Sequence, residues 1–201
     1  MRSVSTAPLV SFSLELMTTR NNNPKKPKDI SAQHQRVGVF VDAQNMYHSA
    51  KNLYHGKANF KKILEAAVGD RQLIRAFVYV IKTETGEEKA FFEALQKSGY
   101  EIKEKDLQIF PGGMKKADWD VGITVDAIKS APGVDVIVLV SGDGDFVQLV
   151  EYLKNHGKRA EVIAFGKSAS GRLKETADEF IDLGETPAKY LISKTRGSKN
   201  E

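Results

Sequence analysis

The chain has 201 residues, 41% of them hydrophobic and 28% charged, which is enough for one α/β domain of ordinary size with short tails. It contains no cysteine, so disulfides, thiolate metal sites and cysteine nucleophiles are excluded. Its four histidines show no HExxH spacing, which argues against a zinc hydrolase. Every apolar run is shorter than the roughly 20 residues that span a bilayer, so no membrane association is expected.

The net charge of +4 arises in the two ends of the chain. Residues 1–35 and 186–201 each carry an excess of three basic side chains, whereas residues 36–185 carry 21 basic and 23 acidic ones. We therefore expect a single folded domain over 36–185, a disordered basic tail over 1–35 and a second basic tail over 186–201. Basic tails attract polyanions, although a simple solvated tail explains these two segments equally well.

Residues 1–16 have a weak likeness to a transit peptide, and a translational start at Met17 is an equal alternative. The apolar positions of this segment are too broken for a secretory signal. A cytoplasmic location is therefore expected.

The hydrophobic pattern predicts alternating strands and helices from residue 36 onwards. In chain order, the predicted elements are strand 36–41, helix 43–55, helix 59–68, strand 72–81, helix 85–98, strand 101–110, helix 117–131, strand 136–140, helix 145–155, strand 159–165, helix 168–177 and strand 180–183. With right-handed crossovers, this order gives an α/β fold, a three-layer α/β/α sandwich around a mostly parallel sheet.

The stretch DVIVLVSGDGDF, residues 135–146, is the most informative part of the sequence. Its unbroken apolar run predicts a strand covered on both faces, and Asp143 and Asp145 follow where that strand leaves the sheet. Ligands of open α/β sheets collect at this end of the strands. Gly142 and Gly144 are expected to allow a sharp turn and a close approach to a ligand. One of the two aspartates has the simpler alternative of a helix N-cap.

Further acids are expected at the same edge of the sheet. Asp42 ends the first strand, and Asp118 and Asp120 lie where a loop becomes a helix. Helix-dipole stabilisation is the alternative for Asp120, and a strand-end turn is the alternative for Asp42. Several carboxylates in one cleft repel each other unless a cation neutralises them, and hard ions such as Mg²⁺ or Mn²⁺ suit such ligands.

Other phosphate chemistries lack their motifs. The chain has no GxxxxGK[ST] loop and no GxGxxG after its first strand, so a nucleotide cofactor is not expected. The segment DAQN also lacks the second aspartate that a phosphoaspartate-forming phosphatase would place there.

The segments VFVDAQNMY, KKADWDVGITVDAI, VLVSGDGDFVQLVEYLKNHGKRAEVIAF and LKETADEFIDL resemble the NYN domain, the LabA-like branch of the PIN-like nuclease superfamily. The resemblance covers about residues 36–185. It implies a three-layer α/β/α sandwich, metal-dependent RNA cleavage, and RNA as the partner. A homodimer is expected by analogy. The positions that match the acidic site are Asp42, Asp120, Asp143 and Asp145, with Asp118 matching less closely.

We therefore predict a ribonuclease in which Asp42 and Asp143 share a Mg²⁺ or Mn²⁺ ion and Asp120 holds the same or a second ion. Asp145 is expected to orient the attacking water or to bind the metal through a water molecule, and Asp118 is a further candidate ligand. Asn45 and Ser141 would position the carboxylates, and Lys115 and Lys116 would contact substrate phosphates, although a lysine pair on a loop is more often simply solvated.

Two aromatic residues and two rival functions complete the predictions. Tyr47 and Trp119 are candidates to stack on a base, with packing at the core edge and at a helix start as their alternatives. The rival to the ribonuclease is a non-catalytic module that binds RNA or a protein. A small phosphohydrolase that acts on nucleotides is a third, weaker reading.

Overall fold

The structure is a computed structural model, and it describes residues 34–82, 88–106, 108–109, 115–116 and 118–192, with only the backbone of 108–109 and 115–116. The strands are β1 Arg36–Asp42, β2 Lys57–Ala58, β3 Gln72–Lys82, β4 Glu101–Asp106, β5 Gln108–Ile109, β6 Lys115–Lys116, β7 Val136–Val140, β8 Arg159–Ala164, β9 Glu179–Asp182 and β10 Leu191–Ile192. The helices are α1 Ala43–Tyr54, α2 Phe60–Val68, α3 Lys89–Lys97, α4 Asp120–Ser130, α5 Val147–Asn155, α6 Gly171–Thr176 and α7 Pro187–Tyr190.

Six of these strands form one parallel sheet in the order β4-β3-β1-β7-β8-β9. The chain moves outwards from β1 to β4 and then returns to place β7 on the other side of β1. The strand order therefore reverses between β1 and β7, and the crevice at such a reversal is where doubly wound folds bind ligands. Val41 and Val140 are register partners, so both strands end at the same level.

The core has two halves, one on each face of this sheet. Along β7, Val136, Val138 and Val140 pack into the half that α1, α2 and α3 cover, whereas Ile137 and Leu139 pack into the half that α4, α5 and α6 cover. Side chains alternate between faces along a strand, so burial on both faces requires an unbroken apolar run. The predicted three-layer α/β/α sandwich with a parallel sheet is confirmed.

The observed elements differ from the predicted ones mainly at their ends. The strand predicted over 101–110 is divided, because β4 pairs with β3 while β5 forms a separate antiparallel ladder with β6. The helix predicted from residue 145 begins as a 3-10 turn at Gly144–Phe146 and becomes α5 only at Val147. The helix predicted over 85–98 begins at Lys89 among the described residues, and residues 83–87 lie outside them.

Regular structure continues beyond the predicted boundary at residue 185. Tyr190 in α7 is 6% exposed, and its carbonyl accepts a hydrogen bond from the backbone N–H of Asn59 (2.8 Å). β10 then pairs antiparallel with β2. Tyr190 and the partly buried Leu191 thus hold this segment against the domain. The tail predicted over 1–35 lies outside the described residues apart from 34–35, and so does 193–201.

None of the helices in the described part of the chain has the length and apolar character needed to cross a lipid bilayer.

Candidate metal centre

The first functional side chain stands at the end of β1. Asp42 is 9% exposed and forms the N-cap of α1, where its Oδ1 accepts a hydrogen bond from the backbone N–H of Asn45 (3.0 Å). One carboxylate oxygen of Asp42 thus has the structural role at the strand end that was the alternative to metal binding. Burial raises the pKa of Asp42, while the hydrogen bonds from the Asn45 backbone and the Ser141 hydroxyl act in the opposite direction.

Ser141 links the ends of β1 and β7. Its buried hydroxyl donates to Oδ2 of Asp42 (3.3 Å) and accepts a hydrogen bond from the backbone N–H of Asp143 (3.2 Å). Asn45 makes a second link, since its Oδ1 accepts from the backbone N–H of Gly142 (3.0 Å). These contacts fix where the loop after β7 lies relative to Asp42. Ser141 contacts a carboxylate directly, whereas the side chain of Asn45 contacts the loop backbone.

The loop after β7 turns at Asp143. Its Oδ1 accepts a hydrogen bond from the backbone N–H of Asp145 (3.0 Å) and so caps the 3-10 turn that leads into α5. Capping uses only part of the hydrogen-bonding capacity of the carboxylate, because each oxygen carries two lone pairs. Asp143 is half-buried and Asp145 is exposed, so both carboxylates remain accessible to a ligand.

The two glycines of this loop make room for a neighbouring segment of the protein. A Cβ on Gly142 would lie 2.9 Å from Cα of Ala169, and one on Gly144 would lie 3.1 Å from Oγ of Ser170. The backbone N–H of Ser170 also donates to the carbonyl of Gly142 (2.9 Å). Neither glycine has a positive φ. Both glycines thus allow close packing of the 168–170 segment, a contact that sequence reasoning missed.

Trp119 positions the second group of acids. Its indole N–H donates to the carbonyl of Val80 (2.9 Å), its ring lies 5.2 Å from that of Tyr79, and a Cβ on Gly122 would lie 2.6 Å from the ring. Trp119 thus packs the start of α4 against the end of β3, as the packing alternative predicted. Asp120, the first residue of α4, is held at the same edge of the sheet as Asp42 and Asp143.

Three carboxylates converge at this edge. One carboxylate oxygen each of Asp120, Asp143 and Asp145 lies within 4.8 Å of the others, and we refer to these three residues as the acidic cluster. The pKa of Asp120 is raised to about 6, first by burial and then by the negative charges of Asp143, Asp42, Asp118 and Asp145. The four charged neighbours named here are all carboxylates, which is the electrostatic pattern of a cation-binding site.

The remaining predicted residues lie around the cluster. Asp42 is close enough to raise the pKa of Asp120 but does not join the group of three among the described residues. Asp118 also raises that pKa, and its backbone carbonyl accepts a hydrogen bond from Nζ of Lys105 (3.0 Å). The side chains of Lys115 and Lys116 lie outside the described part of the structure.

Lys105 was not predicted at this edge. Its Nζ lies 5.6 Å from the centre of the Trp119 ring, in addition to its bond with the carbonyl of Asp118. The alternating pattern of β4 shows only that Lys105 occupies an exposed strand. Its proximity to the acids follows from the pairing of β4 with β3, for which the local sequence contains no signal.

Comparison with known proteins adds an independent observation. A family model described as the NYN domain matches residues 36–184. The chain belongs to the NYN domain family. This NYN protein is 26% identical over 167 residues to the low amplitude and bright protein LabA of Synechococcus elongatus, with 80% of this chain and 89% of LabA covered.

Two further relatives have no described activity. An uncharacterized protein of Methanocaldococcus jannaschii is 26% identical over 163 residues, which cover 80% of this NYN protein and 60% of the relative. The crystal structure of a protein of unknown function from Vibrio parahaemolyticus matches with a TM-score of 0.73 and 31% identity, covering 80% of this chain and 98% of that one. The structural match supports the α/β fold.

Proposed function

We propose that this NYN protein is a metal-dependent ribonuclease that hydrolyses phosphodiester bonds, with Mg²⁺ or Mn²⁺ held by the acidic cluster. The observation that carries the proposal is the convergence of Asp120, Asp143 and Asp145 from two separate segments, next to Asp42 at the strand-order reversal. The family supports it, because NYN domains belong to a nuclease superfamily.

The residues present fit such an ion. Oxygen ligands from carboxylates are what Mg²⁺ and Mn²⁺ select, and the cluster offers three without sulfur or imidazole. The raised pKa of Asp120 fits as well, since a bound divalent cation would favour the ionised form that neighbouring carboxylates oppose. When bound, the ion would lower the pKa of a coordinated water and polarise the phosphodiester.

The other residues of the site have supporting roles in this proposal. Asp42 adds negative charge beside the cluster, and its two hydrogen bonds hold its carboxylate in one orientation. Ser141 and Asn45 keep the loop after β7 in register with β1. Asp145, the exposed member of the cluster, is placed to orient a water molecule from solvent. Lys115 and Lys116 are proposed to meet substrate phosphates.

We assign RNA as the substrate because NYN domains are generally associated with RNA. The proposal also includes Asp42 and Asp143 as joint metal ligands and Asp118 as a further ligand. It includes as well a homodimeric state, a cytoplasmic location and a basic tail at each end of the domain, with the second tail beginning after β10 rather than at the predicted boundary of 185.

The test is cleavage of labelled single-stranded and hairpin RNAs in Mn²⁺, in Mg²⁺ and in EDTA, by the wild type and by Asp143→Asn. We expect cleavage that requires the metal and falls about a thousandfold in Asp143→Asn, because the ion supplies several kcal/mol of transition-state stabilisation. Asp135→Asn is the matched control, since Asp135 precedes the same strand at its other end and pairs with Arg36. Its cleavage rate should equal that of the wild type.

The other outcomes identify the rival functions. Equal cleavage by the wild type and Asp143→Asn would show a contaminating nuclease and contradict the proposal. Binding of RNA without cleavage in any metal would support the non-catalytic RNA-binding module. Hydrolysis of mononucleotides with no attack on oligonucleotides would identify a nucleotide phosphohydrolase.

A further inference from the structure

An apolar groove lies on the other side of α1 from the loop that carries Asp143. It has a volume of about 530 Å³ and is formed by residues of α1, β2, α2, β3, α3 and β10. We call it the aromatic groove. It opens at the carboxyl end of β3, where Val80 and Ile81 line it, and β3 is the direct neighbour of β1 in the sheet. The groove therefore borders the edge of the sheet at which the acids lie.

The helix α1 joins the groove to the metal centre. Ala43 and Gln44, which line the groove, follow Asp42 directly in the chain. Asn45 points to the loop after β7, where it accepts the hydrogen bond from Gly142, whereas Tyr47 and His48 line the groove. Two flanks of one helix thus contact both places, so a ligand that crosses the start of α1 can reach both.

Large apolar side chains are unusually exposed in this groove. Of the seven large hydrophobic side chains that are exposed in the described residues, Tyr47 at 46%, Phe91 at 40% and Ile192 at 54% all line it. The ring of Phe91 is fixed edge-on against that of Phe60, with 5.5 Å between the ring centres. Exposed aromatic rings on a rigid wall provide a surface on which a flat, partly apolar group can stack.

Two lysines place positive charge beside these rings. Nζ of Lys51 lies 5.5 Å from the centre of the Tyr47 ring, and Lys57 lines the groove, while Glu88 is its one acidic lining residue in the described part of the chain. Aromatic rings for bases combined with cations for the backbone are the usual elements of single-strand binding. The volume is also in the range that small-molecule pockets occupy.

We infer that the aromatic groove binds an unpaired nucleobase of the RNA strand, with Tyr47 as the stacking platform, and so places an adjoining phosphate at the acidic cluster. This inference rests on the proposed ribonuclease function and deepens it, because it makes single-stranded RNA the substrate class. A base in a duplex is stacked between its neighbours and cannot enter the groove. Duplex RNA should therefore be cut poorly.

The test uses a single-stranded oligoribonucleotide in which one abasic residue is moved along the chain. For the wild type, we expect the KM to rise about tenfold when the abasic residue occupies one particular position beside the cut. Tyr47→Ala should show a similarly raised KM with the intact oligonucleotide and no further penalty at that position. Tyr47→Phe keeps the ring and should behave as the wild type. Tyr152→Ala is the matched control, since Tyr152 is 39% exposed on α5 and does not line the groove.

The same scan read by fluorescence anisotropy, with the metal omitted, measures binding independently of cleavage. Binding with the positional penalty but without cleavage would remove the nuclease proposal and leave the base-binding groove intact. Cleavage by the wild type with an unchanged KM and positional penalty in Tyr47→Ala would overturn the groove and leave the nuclease intact. Absence of both binding and cleavage would overturn both.

Two further outcomes also count against the inference. A loss of kcat in Tyr47→Ala with an unchanged KM would indicate that Tyr47 only supports the fold of the site. A change from dimer to monomer in Tyr47→Ala, measured by light scattering and without an effect on RNA binding, would identify a second copy of the chain as the occupant.

Discussion

The two edges of the central sheet both carry carboxylates, but their electrostatic surroundings are opposite. At the amino edge, where the strands begin, Arg36 pairs with Asp135 through a guanidinium nitrogen 2.8 Å from a carboxylate oxygen. Hydrogen bonds from Arg36 lower the pKa of Asp135 to about 2. At the carboxyl edge, burial and neighbouring carboxylates raise the pKa of Asp120 to about 6.

Glu161 shows that burial alone does not explain the difference. It is 2% exposed, and burial raises its pKa, yet the pKa is lowered overall by the hydrogen bonds from Arg71 and Arg159. Arg71 donates to both of its carboxylate oxygens (2.8 and 2.9 Å) and also to the carbonyl of Ala67 at the end of α2. Arginine side chains thus neutralise the carboxylates of Asp135 and Glu161 at the amino edge.

The comparison indicates what each edge contributes. Paired charges at the amino edge connect α2, β8 and β9 and contribute to the stability of the fold. Like charges at the carboxyl edge cost stability in the absence of a cation and make that edge a site for one. The predictions below test this division, beginning with the largest expected effect.

Replacing Arg71 by methionine should remove part of the charge pairing at the amino edge and destabilise the fold. The change removes two hydrogen bonds from the buried carboxylate of Glu161, while Arg159 remains as a partner at 2.7 Å. We expect the free energy of unfolding to fall by about 3 kcal/mol, the lower end of what breaking a buried ion pair costs. Denaturant unfolding at neutral pH measures it.

The same variant tests whether the two edges are independent. At a temperature where Arg71→Met is folded, its affinity for Mn²⁺ should equal that of the wild type, because Arg71 lies at the opposite end of the sheet from Asp143. A large loss of Mn²⁺ affinity in the folded variant would contradict the division between a stabilising edge and a binding edge.

The strands of the sheet were predictable because double-sided burial leaves a strong pattern. Val136–Val140 is apolar at every position, and two layers of helices require that pattern. The pairing of β10 with β2 was not predictable, since Tyr190 and Leu191 pack against a core formed by distant parts of the chain. The division of the predicted strand 101–110 depends on which neighbour each half pairs with, and local alternation contains no such information.

The acids of the candidate site, and their gathering at one edge of the sheet, were predictable from their places at element ends. Strand ends and helix starts identified Asp42, Asp120, Asp143 and Asp145. Which three of them lie within 4.8 Å of one another was not predictable, because it depends on details such as the 3-10 turn after Asp143. The role of Gly142 depends on the approach of Ala169 from a distant part of the chain. Contacts between segments far apart in sequence determine these details.

Replacing Ser141 by alanine should weaken metal binding at the carboxyl edge without removing a carboxylate. The change removes the donor to Asp42 and the acceptor for the backbone N–H of Asp143. Loss of such an orienting contact typically costs tenfold or more in metal affinity, so we expect the Kd for Mn²⁺, measured calorimetrically, to rise about tenfold. Ser98→Ala, which removes a hydroxyl that donates to the carbonyl of Ala94 away from the acids, is the control. An unchanged Kd in Ser141→Ala would show that Ser141 does not orient the acids.

Replacing Asp120 by asparagine has the smallest expected effect on stability. The direction of that effect depends on pH and on the presence of a metal ion. The pKa of Asp120 is raised from 3.8 to about 6 in the folded protein, so the native state binds the extra proton and is favoured at low pH. That contribution is lost as the pH rises through 6, and the ionised group then destabilises the metal-free fold. We expect Asp120→Asn in EDTA to be more stable than the wild type by about 1 kcal/mol at about pH 8. The expected gain is smaller than the pKa shift alone would give, because Asp120 is partly exposed to solvent and because the variant loses a favourable negative charge at the start of α4.

The gain in Asp120→Asn should shrink as the pH falls from about 6 towards about 4, where Asp120 is protonated in the wild type as well. Saturating Mn²⁺ should reverse the order of the two proteins, since the wild type gains stability from the bound ion and the variant loses a ligand. Denaturant unfolding in EDTA and in Mn²⁺ across this pH range measures both effects. A variant less stable than the wild type in EDTA at about pH 8 would mean that the carboxylates do not repel one another. The electrostatic argument for a cation site at the carboxyl edge would then fail.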